Sequence, residues 1–129
     1  MAGERILAVD DSATVLEMIK SVLVAEGYEV LTAADGAEGL DTARAERPDL
    51  ILLDVMLPKL DGYRVCRLLK FDKNYRDIPI VMLTAKAEDA AVATGMRTGA
   101  DQYLTKPVEP DTLLAVVAKE IERSKGVQK

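Results

Sequence analysis

The sequence has no histidine or tryptophan, and it contains a single cysteine and a single phenylalanine among its 129 residues. Without histidine the chain cannot build a His-containing zinc site, a Ser-His or Cys-His catalytic pair, or a phosphohistidine. The lone Cys66 excludes an intramolecular disulfide and indicates a reducing compartment, which we expect to be the cytoplasm. Because Cys66 stands among apolar residues in YRVCRLLK, we expect a buried structural thiol.

Long apolar runs and clustered positive charge are also absent. No apolar run approaches the roughly 20 residues of a membrane span, and MAGERILAVDD lacks the basic and apolar segments of a secretory signal. The net charge of −5 argues against a surface that binds nucleic acid directly. We therefore expect one globular domain over residues 1–129, with a core at about 4–123, a polar tail at 124–129, and no contact with a membrane.

Apolar runs alternate with amphipathic segments along the chain. The runs RILAVD, YEVLTA, DLILLD, IPIVMLT and QYLT predict five buried strands. Capping residues and apolar stripes predict five helices: Ala13–Glu26, a second from the Asp35 cap to Pro48, a third from the Asp61 cap to about Asp72, Glu88–Thr98, and a last one that opens at Pro110. This alternation predicts a doubly wound α/β fold, in which helices cover both faces of a parallel sheet.

The fourth predicted helix is poorly anchored. Its segment, EDAAVATGMRTGA, is rich in alanine, carries Gly95 inside, and has only Val92 and Met96 as larger apolar side chains. Glycine disfavours a helix interior by about 1 kcal/mol relative to alanine. Two interpretations stay open: a short surface helix, or an element that can shift at little cost.

Polar residues stand where the predicted strands end. Asp10 and Asp11 follow the first strand, Asp54 ends the third, Thr84 ends the fourth and Lys106 follows the fifth. In an open α/β sheet these ends share the edge at which ligands bind, so we expect the side chains to converge. Converging carboxylates repel one another unless a cation lies among them, and oxygen donors without histidine or cysteine suit Mg²⁺.

This set of groups is suited to phosphoryl transfer, which needs a metal and positive charge more than covalent chemistry. A carboxylate can itself be the nucleophile and form an aspartyl phosphate. Asp54 is the best candidate because it stands alone at its strand end, whereas Asp10 and Asp11 form a metal-holding pair. Each signal is weak alone, since DDS is also a common helix cap and Lys106 could be a solvated lysine.

The same residues lie in the motifs VDDS, LLDVMLPKLDG, MLTA and YLTKP, within Glu4–Arg123. In these motifs the chain resembles the receiver domain of bacterial two-component response regulators, including the single-domain kind similar to the chemotaxis regulator. The resemblance implies a flavodoxin-like (βα)5 fold with the sheet order 2-1-3-4-5. It also implies a regulator, rather than an enzyme, that takes a phosphoryl group from a sensor histidine kinase or a phosphotransfer protein.

By position, the resemblance implies that Asp54 is the phosphoacceptor. It implies that Asp11, Asp54 and the backbone carbonyl of Met56 bind Mg²⁺ directly, with Asp10 acting through water. The resemblance also implies that Met56 and Lys86 flank the site, at two positions where the residue type tunes the rate of self-catalysed dephosphorylation. A bulky Met and a long Lys should hinder the attacking water, so we expect a long-lived phosphorylated state.

The resemblance also implies a switch. Lys106 would contact the phosphoryl oxygens, and its bond to Pro107 would be cis. The Thr84 hydroxyl and the Ala85 N–H would turn toward the phosphoryl group, and Tyr103 would swing inward. The face formed by the fourth helix, fifth strand and fifth helix would then change shape and be read by a downstream protein.

Other interpretations remain. A degenerate receiver would only dock with a partner, without phosphorylation. An aspartate-nucleophile phosphatase would carry a second acid where this chain has Met56, and a flavodoxin-like electron carrier would need a phosphate-binding loop after the first strand. Met1 and the polar ending IERSKGVQK favour a stand-alone regulator over a fragment, and phosphorylation-dependent dimerisation is a further option.

Overall fold

The computed structural model describes residues 3–85 and 99–127 of the chain. Its strands are β1 (Arg5–Val9), β2 (Glu29–Ala33), β3 (Leu50–Asp54), β4 (Ile80–Thr84) and β5 (Gln102–Thr105). Its helices are α1 (Ala13–Ala25), α2 (Gly36–Glu46), α3 (Gly62–Lys70) and the C-terminal helix α4 (Pro110–Val127). The predicted helix Glu88–Thr98 and the rate-tuning candidate Lys86 lie outside the described residues.

The five strands form one parallel sheet in the order β2-β1-β3-β4-β5. This order confirms the predicted flavodoxin-like arrangement, and it places β1 and β3 side by side, with Val9 opposite Leu53. Parallel strands of this kind are joined by helices that cross over the faces of the sheet. The ends of β1, β3, β4 and β5 therefore lie along one edge.

Alternate residues of the central strands pack against helices on opposite faces of the sheet. Leu7 and Val9 of β1 join a buried cluster with residues of α2 and α3, whereas Ile6 and Ala8 join a cluster with residues of α1 and α4. Every residue of β3 is buried, as expected for a strand covered on both sides. Cys66 is fully buried in the first cluster, which confirms the expected structural position of its thiol.

Capping side chains define the starts of three helices. The side-chain oxygens of Ser12, Asp35 and Asp61 accept hydrogen bonds from backbone N–H groups in the first turns of α1, α2 and α3. The caps at Asp35 and Asp61 are those that the sequence predicts. Helix α2 ends at Glu46, because Arg47 adopts a left-handed conformation (φ 47°) before Pro48.

The C-terminal helix is longer than the sequence suggests. It runs to Val127, so residues 124–127 of the expected polar tail are helical. Two contacts hold this last turn: the Ser124 hydroxyl donates to the Asp77 carbonyl at 3.3 Å, and Lys125 forms an ion pair with Glu4. Within residues 3–85 and 99–127, the helices are too short or too polar to cross a bilayer.

Candidate functional site

Three carboxylates meet at the edge where the strands end. Asp10 directly follows β1, Asp54 is the last residue of β3, and Asp11 begins the turn into α1. Each offers one oxygen, and the three oxygens lie within 4.8 Å of one another. Asp10 is fully buried and Asp54 is 5% exposed, whereas Asp11 faces solvent. The site therefore has a buried floor and one solvent-facing carboxylate.

Lys106 supplies the positive charge beside these acids. Its Nζ lies 2.8 Å from Asp10 Oδ2 and 3.2 Å from Asp54 Oδ2. Its backbone N–H donates to the Thr84 carbonyl at 2.7 Å, which continues the pairing of β4 and β5 past the strand ends. The Lys106–Pro107 peptide bond is cis, the isomer that the family resemblance implies.

Backbone groups hold two of the acids in place. The Ser12 N–H donates to Asp10 Oδ1 at 2.9 Å, and the Met56 N–H donates to Asp54 Oδ1 at 3.3 Å. Ser12 also caps α1. The DDS sequence is thus a helix cap and part of the acidic site at the same time.

Gly62 brings the start of α3 against the end of β3, a contact that the sequence interpretation missed. Its N–H donates to the Val55 carbonyl at 3.0 Å, and a Cβ at this position would lie 2.0 Å from the Asp54 carbonyl oxygen. Only a residue without a side chain fits this distance. The only sequence signal for this contact was weak, because it consisted of a glycine directly after the predicted Asp61 cap.

Burial and charge act in opposite directions on the site. Burial, followed by repulsion from the Asp10 carboxylate, raises the pKa of Asp54, while the Lys106 ammonium opposes that rise. Burial would also lower the pKa of Lys106, but its hydrogen bonds to Asp10 and Asp54 outweigh burial and raise it. Lys106 is thus held in its charged form between two carboxylates.

The other candidate residues surround this centre. Thr84 is buried at the end of β4, and Ala85 follows it at the surface. Thr84 lies opposite Thr105 of β5, so the two side chains point to the same face of the sheet. Tyr103 precedes Thr105 by two residues in β5 and therefore points to that face as well. Tyr103 is half-buried against the cluster that α2 and α3 cover. Met56 is 77% exposed beside Asp54.

The donors present are suited to a hard divalent cation. Three carboxylate oxygens lie close enough together to hold one ion, directly or through water, and the group contains no nitrogen or sulfur donor. Mg²⁺ prefers such oxygen donors and keeps several waters, and the exposed Asp11 leaves room for them. A cation here would also offset the repulsion that raises the pKa of Asp54.

Most of the chain matches known regulators in sequence. Residues 6–118 match the family model described as response regulator receiver domain. The DNA-binding response regulator MtrA of Mycolicibacterium paratuberculosis is 45% identical over 121 residues, which are 94% of this chain and 52% of MtrA. The alkaline phosphatase synthesis transcriptional regulatory protein PhoP of Bacillus subtilis is 46% identical over 122 residues, 95% of this chain and 50% of PhoP. The chain thus spans about half the length of these relatives.

Solved structures show the same likeness. The chemotaxis response regulator CheY4 of Vibrio cholerae matches with a TM-score of 0.85 and 36% identity, over 92% of this chain and 99% of CheY4. A CheY-like receiver domain protein of Methanospirillum hungatei matches with a TM-score of 0.87 and 32% identity, over 97% of this chain and 98% of that one. Sequence, fold and family model agree, and the chain belongs to the response regulator receiver domain family.

Proposed function

We propose that Asp54 accepts a phosphoryl group, with Mg²⁺, from a phosphorylated histidine of a partner sensor kinase or phosphotransfer protein. One observation carries the proposal: a buried strand ends on Asp54, with Asp10 and Asp11 oxygens within 4.8 Å and Lys106 Nζ at 3.2 Å. Membership of the receiver family supports a role in two-component signalling rather than classical enzymatic turnover.

In the transfer step, a carboxylate oxygen of Asp54 attacks the phosphorus atom. A new P–O bond forms, the P–N bond to the donor imidazole breaks, and its electron pair goes to the imidazole nitrogen. The attack requires ionised Asp54, and the Lys106 ammonium favours that form. Lys106 is also placed to contact a phosphoryl oxygen on the acceptor, because its Nζ already lies beside Asp54 Oδ2.

Asp11, Asp54 and the backbone carbonyl of Met56 would hold Mg²⁺, with Asp10 acting through water. When bound, the ion supplies positive charge beside the transferred group. Asp11 faces solvent, so the ion and the phosphoryl donor would enter the site from the side on which Asp11 lies.

The proposed response passes through β4 and β5. The Thr84 hydroxyl and the Ala85 N–H would turn toward the new phosphoryl oxygens, and Tyr103 would swing inward on the same face of the sheet. The face that includes β5 and α4 would change shape, and a downstream protein or a second copy of the chain would bind to it. The pairing of Thr84 with Thr105 supports this coupling, because it places the switch residues on neighbouring strands.

Intact mass spectrometry after incubation with acetyl phosphate tests the transfer, with and without Mg²⁺. We expect one added phosphoryl group in the wild type, none in Asp54→Ala, and an unchanged yield in Asp41→Ala, which removes an exposed carboxylate of α2. If no adduct forms, binding of beryllofluoride is measured. Failure of both experiments would overturn the proposal in favour of a receiver that docks without phosphorylation.

A further inference from the structure

Helix α3 carries two stripes of residues with different surroundings. Its buried stripe, Gly62, Val65, Cys66 and Leu69, packs into the core. The opposite stripe is Arg64, Arg67, Leu68 and the capping residue Phe71, at the i, i+3, i+4 and i+7 spacing of one helix face. All four of these residues are exposed.

The apolar members of the outer stripe are unusually open to solvent. Leu68 is 43% exposed and Phe71 is 72% exposed, and they are two of the four large exposed apolar residues in the part of the chain that the structure describes. The Arg67 guanidinium lies 6.0 Å from the centre of the Phe71 ring, within cation–π range. The two apolar side chains therefore form a small patch bordered by positive charge.

Three arginines surround this patch, and none of them forms an ion pair with an acidic side chain of the described residues. Arg44 reaches it from α2 and, with Arg64, Arg67, Leu68, Phe71 and Asp72, lines a groove of about 540 Å³. Among the ion pairs of residues 3–85 and 99–127, none includes Arg44, Arg64 or Arg67. Asp72, the one carboxylate among the described residues that line the groove, accepts the Asn74 N–H at 2.9 Å. Three like charges thus stand together on a chain whose net charge is −5.

We propose that this groove between α2 and α3 binds an acidic protein segment that carries an aromatic or aliphatic anchor residue. Carboxylates of the segment would pair with the three guanidiniums, which favour planar, bidentate contacts. The anchor would cover Leu68 and Phe71, which are too exposed to belong to the core. Arginine and aromatic residues are enriched in the buried centres of protein interfaces, which agrees with this composition.

An acidic protein segment fits better than nucleic acid or a second copy of the chain. A net charge of −5 repels a long polyanion at a distance, whereas a short acidic segment interacts mainly with the local arginines. None of the described residues that line the groove is a phosphoryl-binding or switch candidate. We therefore expect binding to persist in Asp54→Ala, which cannot be phosphorylated at this position.

Fluorescence anisotropy tests the proposal with a labelled peptide of about twelve residues in which pairs of Glu alternate with Leu and Phe. Arg67→Glu should weaken binding by at least about tenfold, because it removes one attraction and adds a repulsion. Phe71→Ser should weaken binding to a similar degree. The matched control is Arg76→Glu, which makes the same charge change at an exposed arginine outside the groove and should weaken binding by less than about twofold.

Two further probes check the class of partner: the same peptide with Lys in place of Glu, and a single-stranded DNA of similar length. Stronger binding of either probe, equal losses in Arg67→Glu and Arg76→Glu, or no saturable binding below about 1 mM would overturn the proposal. Self-association in sedimentation that disappears in Phe71→Ser would overturn it in favour of a second copy. If Arg67→Glu does not fold, as judged by circular dichroism, Arg64→Glu replaces it.

Discussion

The ammonium group of Lys106 lies 2.8 Å from Asp10 Oδ2, although the two residues are 96 positions apart in the chain. The same nitrogen lies 3.2 Å from Asp54 Oδ2. One lysine, after the last strand, therefore joins carboxylates from two neighbouring strands. The contact links the fifth strand to the ends of β1 and β3, where the phosphoryl group is proposed to bind.

Removal of the Lys106 charge should destabilise the fold in the absence of Mg²⁺. In Lys106→Met, buried Asp10 would lose its cation, and we expect a loss of about 1–3 kcal/mol in the free energy of unfolding, less than for a fully buried pair because Lys106 is partly exposed. Urea denaturation measures the change. Lys59→Met is the control, because its pair with Asp35 is long and the lysine is mostly exposed. Equal losses in the two variants would contradict this assignment.

Mg²⁺ should stabilise the folded chain through the acidic cluster. We expect the melting temperature to rise with added Mg²⁺. At a Mg²⁺ concentration a hundredfold above the dissociation constant, the free energy of unfolding should increase by about 2.7 kcal/mol. Asp11→Asn should lose most of this stabilisation, whereas Asp41→Asn, on the exposed face of α2, should keep it. Differential scanning calorimetry across a Mg²⁺ titration measures the effect, and an equal response in both variants would argue against the site.

Acid should weaken the contacts that Asp101 makes. Its carboxylate accepts hydrogen bonds from the Lys70 ammonium at 2.8 Å, the Arg123 guanidinium at 2.7 Å and the Ile80 backbone N–H at 2.8 Å. Arg123 also forms an ion pair with Glu120. Burial alone would raise the pKa of Asp101, but these hydrogen bonds and charges outweigh it and lower the pKa below its ordinary value.

A carboxylate whose pKa is lower in the folded than in the unfolded state stabilises the fold at pH values above its unfolded-state pKa. This stabilisation is lost as the pH falls through its folded-state pKa. We therefore expect wild-type stability to fall more steeply than that of Asp101→Asn between about pH 5 and pH 2. At neutral pH the variant should be less stable by about 1–3 kcal/mol. Urea denaturation at several pH values measures both effects, and parallel curves for the two proteins would refute the assignment.

A side chain at position 62 should disturb the site. In Gly62→Ala, the added Cβ would meet the Asp54 carbonyl oxygen at 2.0 Å, so the start of α3 must move away from β3. We expect a loss of about 1–3 kcal/mol in stability and slower phosphorylation by acetyl phosphate. Gly126→Ala is a suitable control, because a Cβ there has no neighbour within 4 Å. Wild-type rates and stability in Gly62→Ala would show that the close contact is unimportant.

The phosphorylated form should be long-lived, because Met56 and Lys86 would hinder a water molecule in line with the acyl phosphate. Met56 is exposed beside Asp54, where it could shield that approach, and Lys86 lies outside the described residues. Phosphate release from the isolated phosphoprotein measures the lifetime, and Met56→Ala should shorten it. A wild-type half-life of seconds would contradict this prediction.

The sequence by itself determined the strands, most helix boundaries and the polar residues at the strand ends. These features depend on local signals: apolar runs for strands, and side chains such as Asp35 and Asp61 that cap helices within their own first turn. The sheet order came from the resemblance to receiver domains, because pairing between distant strands is not encoded in any local pattern.

Only the tertiary structure decided which distant groups meet. The contact of Gly62 with the end of β3 and the three contacts of the Asp101 carboxylate join segments that no sequence spacing relates. The outer stripe of α3 could be assigned only from the structure, in which Val65, Cys66 and Leu69 pack into the core. The burial of these residues determines which face of the helix is exposed. Local chemistry therefore specified the elements, and burial on both sides of the sheet specified which side chains share a site.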